Sequence, residues 1–313
     1  MQTTTQIVLA CIAAAVLGAG IYLWTPDKAL SELEPKYLKS KNDYLAVAGM
    51  RLHVRDTGPR DAPVLMLLHG FGASLHTWEP WAKTLEMTYR VVRLDLPGFG
   101  LSGPAPANDY SDGRSSDILL ALMDDLGISR ATVIGNSVGG RIAWTFAAAH
   151  PEKIEKLVLI SPDGFASPGF EYGKATAVPA VLHLMRYVLP KAMLAPNLAA
   201  AYADPAFMSD ALLDRYYDLM LAPGNRAAMI ARMEQTVLTP PQPVLRSISA
   251  ETLLLWGEKD GMIPVANAAD YMREMHHATL VTLPGIGHLP HEEAPEVSIL
   301  PLQTFLARPA APR

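Results

Sequence analysis

Residues 131–140 read ATVIGNSVGG, and this stretch decides the fold. Its first half is apolar and β-branched, as in a buried strand, and the residues after it have helical character. The chain therefore reverses from strand to helix at Ser137. Such a short reversal strains the serine backbone, and Gly135 and Gly139 remove the Cβ atoms that would clash. We expect the turn to lift the Ser137 hydroxyl above the sheet edge and to aim the Val138 N–H at the same place. The alternative is a glycine-rich turn with an idle serine.

Strand and helix patterns alternate on both sides of this turn. The predicted strands are 44–48, 51–56, 64–69, 90–95, 131–135, 154–160, 252–256 and 279–283, and the predicted helices include 118–126 and 141–149. This alternation indicates an α/β fold with a mostly parallel central sheet and helices on both faces. Ligands of such sheets bind beyond the carboxyl ends of the strands, so functional residues are expected there.

The segment 163–249 interrupts the alternation, because it has no clear strand pattern. It holds six of the fourteen methionines, and two sets of its apolar residues have helical spacing: Leu213, Tyr216, Tyr217 and Met220, then Met229, Ile230, Met233 and Val237. We interpret it as a helical cap inserted after the sixth strand, where methionines suit an adaptable apolar pocket. The alternative is that these residues pack on the sheet as ordinary core. The predicted core is then 44–162 and 250–308, followed by a tail at 309–313.

A serine hydroxyl is a weak nucleophile until a base removes its proton, and that base is commonly a histidine held by a carboxylate. His288 follows the strand pattern at 279–283, and Asp260 follows the one at 252–256. Both side chains are therefore expected at the sheet edge of Ser137. The chain order Ser, Asp, His is the one that this architecture requires.

Other residues compete for these roles. Glu258 lies two residues before Asp260, and Asp163 follows another strand pattern, so either could supply the acid. Whether Asp163 can replace Asp260 stays open. His291, close to His288, begins a helix-forming stretch and is expected to contact solvent or the cap.

Acyl transfer also needs two N–H donors aimed at the developing negative charge. Val138 supplies one, and the loop after the strand at 64–69 should supply the other through the N–H of Phe71. His69 is expected to brace that loop by hydrogen bonding. The residues expected to support the site are His69, Gly70, Gly72, Gly135, Asn136 and Gly139.

Composition excludes several classes of protein. The 313 residues are 50% hydrophobic, which excludes disorder, and the net charge of -5 argues against nucleic acid as a partner. Cys11 is the one cysteine, so the chain can form neither an internal disulfide nor a cysteine-based metal site.

The first 26 residues carry no charged side chain. Residues 7–24 are almost wholly apolar and would span roughly 27 Å as a helix, close to the thickness of the bilayer core. We predict a single-pass membrane anchor at 1–26, with the side of the membrane left open, and a polar linker at 27–43. The alternatives are a cleaved secretory signal, a lipoprotein signal ending at Cys11, and a buried helix.

With these residues in place, the chain resembles the α/β-hydrolase fold superfamily. The resemblance covers about 44–307 and includes HGFG at 69–72, DLPGFGLS at 95–102, GNSVGG at 135–140, WGEKDGMIP at 256–264 and GHLPHEEAPE at 287–296. Within the superfamily the chain is similar to membrane-anchored monoacylglycerol lipases and to bacterial lipases and esterases with a helical cap. The resemblance implies nucleophile Ser137, acid Asp260, base His288, oxyanion donors Phe71 and Val138, and neither a cofactor nor a metal.

Neighbouring families differ at marker positions. Haloalkane dehalogenases and epoxide hydrolases carry aspartate where this chain has Ser137. Cofactor-free C–C bond hydrolases share the GNSxGG pattern, but they usually have a tryptophan after the histidine and an HGxGPG loop. Here Leu289 and the pair Ala73-Ser74 stand in those places. Pro301 departs from the usual pattern and is expected to kink or split the last helix.

These observations predict a serine hydrolase that cleaves carboxylic esters through an acyl-enzyme. Hydrophobic esters such as monoacylglycerols are the expected substrates, because an apolar cap and an anchor would place the site beside lipid. The alternatives are C–C bond or amide hydrolysis by the same three residues, and a non-catalytic membrane-tethered binding protein. The oligomeric state is left open.

Overall fold

An eight-stranded sheet forms the centre of the computed structural model, which describes residues 5–7, 9, 18, 20–166, 171–175 and 177–309. The strands are β1 Tyr44–Val47, β2 Met50–Thr57, β3 Val64–Leu68, β4 Arg90–Leu94, β5 Ala131–Asn136, β6 Ile154–Ile160, β7 Thr252–Gly257 and β8 Ala278–Leu283. Their order is β1-β2-β4-β3-β5-β6-β7-β8. The pairs β1–β2 and β2–β4 are antiparallel, and all the others are parallel. The predicted α/β-hydrolase fold is confirmed.

From Leu30 onwards the described α-helices are α1 Leu30–Tyr37, α2 Glu79–Leu85, α3 Asp112–Asp125, α4 Val138–Ala149, α5 Lys191–Ala199, α6 Asp210–Met220, α7 Asn225–Gln235, α8 Gln242–Ser247, α9 Ala268–Glu274, α10 Pro290–Glu293 and α11 Pro295–Leu306. Short 3-10 helices occur at Lys41–Asp43, Leu75–Trp78, Pro151–Lys153, Ala180–Arg186, Pro205–Phe207 and Val265–Asn267. Helix α11 runs as one element across Pro301, so the expected split is absent from it.

The central strands are buried on both faces. Every residue of β4, β5 and β7 is buried, and these strands separate two large apolar clusters. Parallel strands covered by helices on both sides need such nearly continuous apolar runs, and this is why their sequences lack clear alternation.

The strand order creates a switch point between β3 and β5. The chain passes from β3 to β4 on one side and then crosses to β5 on the other, so the connections leave β3 and β5 in opposite directions. A crevice forms beyond the carboxyl ends of two such strands. The loop that starts at His69 and the turn at Ser137 both lie at these ends.

The segment between β6 and β7 contains helices α5 to α8. In its described part, the β structure is limited to an isolated bridge between Ala175 and Val237. Met220 and Met229 belong to the same apolar cluster as the sheet residues, whereas Met193 is 63% exposed. Some of the methionines therefore act as ordinary core. That the segment is a cap stays a prediction.

The predicted single-pass anchor at 1–26, and with it the membrane localisation, is wrong. In the part of the chain that the structure describes, no helix has both the length and the apolar character needed to cross a bilayer. A span needs about 20 consecutive apolar residues. Residues 1–4, 8, 10–17 and 19 of this segment lie outside the described residues, as do 310–313 of the predicted tail.

Residues 25–38 pack along the segment between β6 and β7, although the sequence predicts a linker there. The N–H of Thr25 donates to the carbonyl of Tyr187, and that of Lys28 donates to Leu221. Asp27 pairs with Arg226 on α7 at 2.6 Å. We call residues 25–38 the N-terminal strap.

Asp218, on α6, is the main electrostatic contact of the strap. Its nearly buried carboxylate pairs with Lys28, with Lys36 at 3.0 Å, and with the Tyr37 hydroxyl at 2.9 Å. Burial alone would raise the pKa of Asp218, but the hydrogen bonds from the two lysines and the tyrosine hold it below its ordinary value.

Asp218→Asn should lower the free energy of unfolding at pH 7 by about 2 kcal/mol, because it removes charge-assisted hydrogen bonds. Because the pKa of Asp218 is lower in the folded than in the unfolded chain, its carboxylate stabilises the protein at pH values above the unfolded pKa of about 4. This contribution disappears as the pH falls through the folded pKa. The difference between variant and wild type, measured by denaturant unfolding, should therefore shrink from pH 7 to pH 3. The exposed Asp61→Asn serves as control, and a difference that does not depend on pH would contradict the account.

Candidate active site

Ser137 lies in a strained turn between β5 and α4. Its backbone angles are φ 55° and ψ −122°, a combination that residues with a side chain rarely adopt. The glycines on either side of Ser137 are required because neighbouring backbone segments approach them closely. A Cβ on Gly135 would lie 2.2 Å from the carbonyl oxygen of Gly139, and a Cβ on Gly139 would lie 2.3 Å from that of Leu68. The turn predicted from residues 131–140 is present, and Ser137 is half-buried within it.

Hydrogen bonds fasten this turn to the end of β6. The Ser137 N–H donates to the Ile160 carbonyl at 3.0 Å, and the Ser137 carbonyl accepts from the N–H of Asp163 at 3.0 Å. The side-chain amide of Asn136 also donates to the Ile160 carbonyl, at 3.1 Å. Both sides of the serine are therefore held in place.

His288 and Asp260 form a buried pair. His288 Nδ1 is 2.8 Å from Asp260 Oδ2, and Asp260 Oδ1 accepts the N–H groups of Met262 and Ile263 at 2.8 Å each. Burial alone would raise the pKa of Asp260, but the bonds from His288 and Ile263 hold it below its usual value. Because Nδ1 faces a carboxylate, it carries the proton of the neutral ring. Nε2 is therefore the nitrogen left to act as a base.

We call the turn at 135–139 the nucleophile turn, after the role expected of Ser137, and this turn is bonded directly to His288. Asn136, adjacent to Ser137 in the chain, donates its side-chain N–H to the His288 carbonyl at 3.1 Å and is fully buried. The structure therefore brings Ser137, His288 and Asp260 to one sheet edge, and their catalytic roles stay a prediction.

The loop after β3 packs on the same turn. A Cβ on Gly70 would lie 3.0 Å from Asn136 Oδ1 and 3.1 Å from the Ser137 Cβ. His69 Nε2 accepts the N–H of Leu96 at 3.0 Å, so Nδ1 carries the proton and donates to the Gly70 carbonyl at 2.7 Å. Burial lowers the pKa of His69, which keeps the ring neutral. These two hydrogen bonds connect the loop to Leu96, just after β4.

Phe71 follows Gly70 in the loop that packs on the serine turn, and Val138 directly follows Ser137. Among the described residues, no backbone or side-chain acceptor takes up the N–H of either one. The Phe71 ring is 38% exposed and packs edge-on against Phe99, with ring centroids 5.4 Å apart. Gly72, next to Phe71, has a φ of 70°, which turns the loop over the crevice. That these two N–H groups receive an oxyanion stays a prediction.

The alternative acids are engaged elsewhere. Asp163 Oδ2 is 2.9 Å from the Arg141 guanidinium, and Glu258 accepts the Thr282 hydroxyl at 3.2 Å. Burial raises the pKa of Asp163, and the nearby Arg141 opposes this shift. Asp260 is the carboxylate that is bonded to His288.

The expectation that His291 contacts solvent or the cap is wrong. Its side chain is fully buried, stacks on Trp78 with ring centroids 3.9 Å apart, and bonds to the Thr77 hydroxyl at 3.1 Å. Burial lowers the pKa of His291 well below its usual value. Packing against the apolar residues under β3 buries His291. The polar residues beside it in the sequence gave no indication of this burial.

Two further acidic residues, Glu292 and Glu293, lie close to His288 in the chain and form hydrogen bonds near it. Glu293 bonds to the N–H of Gly287 at 2.8 Å, and Glu292 bonds to the hydroxyls of Tyr202 and Tyr216. Sequence reasoning missed both residues. The partners of Glu292 are 76 and 90 residues away in the chain and belong to the segment between β6 and β7. In the described residues, no group of three or more His, Cys, Asp or Glu side chains is arranged to hold a metal ion.

Known proteins resemble this chain over most of its length. Epoxide hydrolase 3 of Xenopus tropicalis is 26% identical over 299 residues, which cover 88% of this chain and 80% of the relative. The 2-hydroxy-6-oxo-6-phenylhexa-2,4-dienoate hydrolase of Burkholderia cepacia is 26% identical over 250 residues, covering 77% of this chain and 86% of the relative. The crystal structure of a bacterial membrane phospholipase A superposes with a TM-score of 0.73 at 26% identity and covers 96% of this chain and 98% of its own.

A family model described as the alpha/beta hydrolase fold matches residues 63–295. The matched region contains Ser137, Asp260 and His288 together with the loop after β3. The named relatives act on different bonds, so the family defines a hydrolase without defining its substrate. The chain belongs to the alpha/beta hydrolase fold family and is a hydrolase by its fold and its relatives.

Proposed function

We propose that the protein is a serine hydrolase that cleaves carboxylic esters through an acyl-enzyme. One observation carries the proposal: the strained Ser137 is joined through Asn136 to His288, and His288 is paired with the buried Asp260. A nucleophile, a base and an orienting carboxylate are the three parts that activate a serine.

In the first half of the reaction, Ser137 Oγ attacks the ester carbonyl while His288 Nε2 takes the hydroxyl proton. Asp260 keeps the proton on Nδ1 and stabilises the imidazolium that forms. The negative oxygen of the tetrahedral intermediate is received by the N–H groups of Phe71 and Val138. Each such donor contributes about 3–4 kcal/mol to transition-state stabilisation.

In the second half, His288 gives its proton to the leaving alkoxide, and the alcohol departs. Water then enters, His288 Nε2 takes a proton from it, and the resulting hydroxide attacks the acyl-enzyme. The second tetrahedral intermediate collapses, His288 returns the proton to Ser137 Oγ, and the carboxylic acid is released. The cycle consumes only ester and water.

Apolar side chains beside the loop after β3, which carries Phe71, support hydrophobic esters such as monoacylglycerols as substrates. A small cleft there is lined by Phe99, Met220 and Met229 together with Gly72. The terminal methyl of Met229 lies 3.8 Å from where a Cβ on Gly72 would stand. Methionine side chains adjust to acyl groups of different shapes. The likeness to a phospholipase A supports the same substrate class.

C–C bond hydrolysis is the second candidate. The GNSVGG sequence at 135–140 and the Burkholderia cepacia relative favour it, and Leu289 after the histidine speaks against it. Amide hydrolysis by the same three residues has no comparable support in the site. The strained backbone of Ser137 speaks against a non-catalytic binding protein, because such strain is found mostly at functional sites.

Ser137→Ala should remove ester turnover and reaction with a fluorophosphonate, while the unfolding transition stays close to that of the wild type. The reason is that the substitution deletes the nucleophile and one oxygen atom from a half-buried position. Mass spectrometry of the labelled protein checks the first result, and Ser31→Ala, at an exposed position on α1, is the matched control. Labelling that persists in Ser137→Ala would show that another residue is the nucleophile.

The p-nitrophenyl ester series from acetate to dodecanoate should show kcat/KM rising with acyl length before it levels off. Each methylene that becomes buried contributes about 0.8 kcal/mol, or about fourfold. Rates are measured below the solubility limit of each ester, with Ser137→Ala as background. A strict preference for acetate would refute a lipid-like substrate. Faster turnover of 2-hydroxy-6-oxo-6-phenylhexa-2,4-dienoate than of any ester would favour the second candidate.

A further inference from the structure

The main chain of His288 is held from two directions. Its carbonyl accepts from Asn136 in the nucleophile turn, and its N–H donates to the Ala201 carbonyl at 2.7 Å. Ala201 belongs to the segment between β6 and β7. The proposed base is therefore the point at which that segment meets the nucleophile turn.

Glu293 reinforces the contact with a single carboxylate. Its Oε2 accepts the N–H of Gly287, just before His288, at 2.8 Å, and its Oε1 accepts the N–H of Ala203 at 2.9 Å. The two backbones are in close contact, because a Cβ on Gly287 would lie 2.6 Å from the Ala203 nitrogen. We call residues 201–203 the clamp turn.

Glu292 holds the same turn from its other side. Its buried carboxylate accepts the hydroxyl of Tyr202 at 2.8 Å and that of Tyr216 at 2.7 Å, and it pairs with Arg215. Burial raises the pKa of both tyrosines, so they remain protonated donors. The clamp turn is thereby fixed to α6 and to α10 at once.

We propose that Glu293 is a positioning residue for His288, acting by tying the loop at Gly287 to the clamp turn. The placement of the segment between β6 and β7 then sets the placement of the imidazole. This inference rests on the proposed function, because it assigns His288 the role of base.

The chemistry makes this placement consequential. Proton transfer requires the base within hydrogen-bond reach of the serine hydroxyl, and a misplacement of about 1 Å can lower a rate by about 100-fold. A carboxylate can receive two N–H groups at once. A glutamine of the same size has one acceptor oxygen and must turn its NH₂ towards one of the two N–H donors.

Glu293→Gln therefore tests the role. We expect kcat for a short p-nitrophenyl ester and the rate of fluorophosphonate labelling of Ser137 both to fall about 10- to 100-fold. KM should stay within about twofold of the wild-type value, because both carboxylate oxygens of Glu293 are engaged with backbone N–H groups and the proposed role concerns the base alone. Both rates are measured well below the unfolding temperature. Glu296→Gln, at an exposed position on α11, makes the same change of charge three residues away and should leave both rates unchanged.

A residue that only stabilised the fold would lower the unfolding temperature and leave kcat and the labelling rate intact. That result in Glu293→Gln, or a raised KM with normal kcat, would overturn the positioning role. If Glu293→Gln does not fold, Glu293→Asp decides, because it keeps the charge but shortens the side chain, so that one carboxylate can no longer reach the N–H groups of Gly287 and Ala203 together. A several-fold lower labelling rate supports the role, and an unchanged rate overturns it. Wild-type protein that does not react at all would overturn the proposed function as well, which separates the two failures.

Discussion

The structure depends on one close contact between backbones, the approach of α4 to the end of β3 at Gly139. A Cβ on Gly139 would lie only 2.3 Å from the Leu68 carbonyl oxygen, so this approach is possible only with no side chain there. This brings the first turn of the helix against the loop that carries Phe71. As a result, Ser137, the N-terminus of α4 and the loop after β3 lie close together. Any side chain at this position would push the first turn of α4 away from the end of β3 and from the loop that follows it.

The second organising feature is the network of amide and carboxylate bonds around His288. Asn136 ties the histidine carbonyl to the nucleophile turn, and Asp260 orients the ring. Glu293 joins the preceding residue to the clamp turn. Hydrogen bonds buried away from water are strong and directional, so the network fixes the ring position more firmly than packing alone would. Each part of it comes from a different stretch of the chain, and the sheet brings the parts to one edge.

Local sequence carried most of the information about the sheet and the candidate catalytic residues. The strand at 131–135, the helix after it and the positions of Asp260 and His288 beyond their strands follow from hydrophobic periodicity and from glycine placement. The hydrophobicity of the N-terminus was misleading. Its long apolar run predicted a membrane span that the described structure lacks. The charged residues of the predicted linker at 27–43 gave no indication of their partners in the fold. Those charges pair with Asp218 and Arg226 on the helices between β6 and β7.

The sequence by itself determined the fold, the strained turn at Ser137 and the order of the candidate catalytic residues, because each depends on a periodic pattern or on a few adjacent residues. Only the tertiary structure decided which carboxylate bonds to His288, since Asp163 and Asp260 both follow strands and differ in their neighbours: Arg141 for the first and the imidazole for the second. The clamp at Glu292 and Glu293 was likewise decided in three dimensions. Its partners are far away in the chain, and no local pattern records a hydrogen bond formed across that distance.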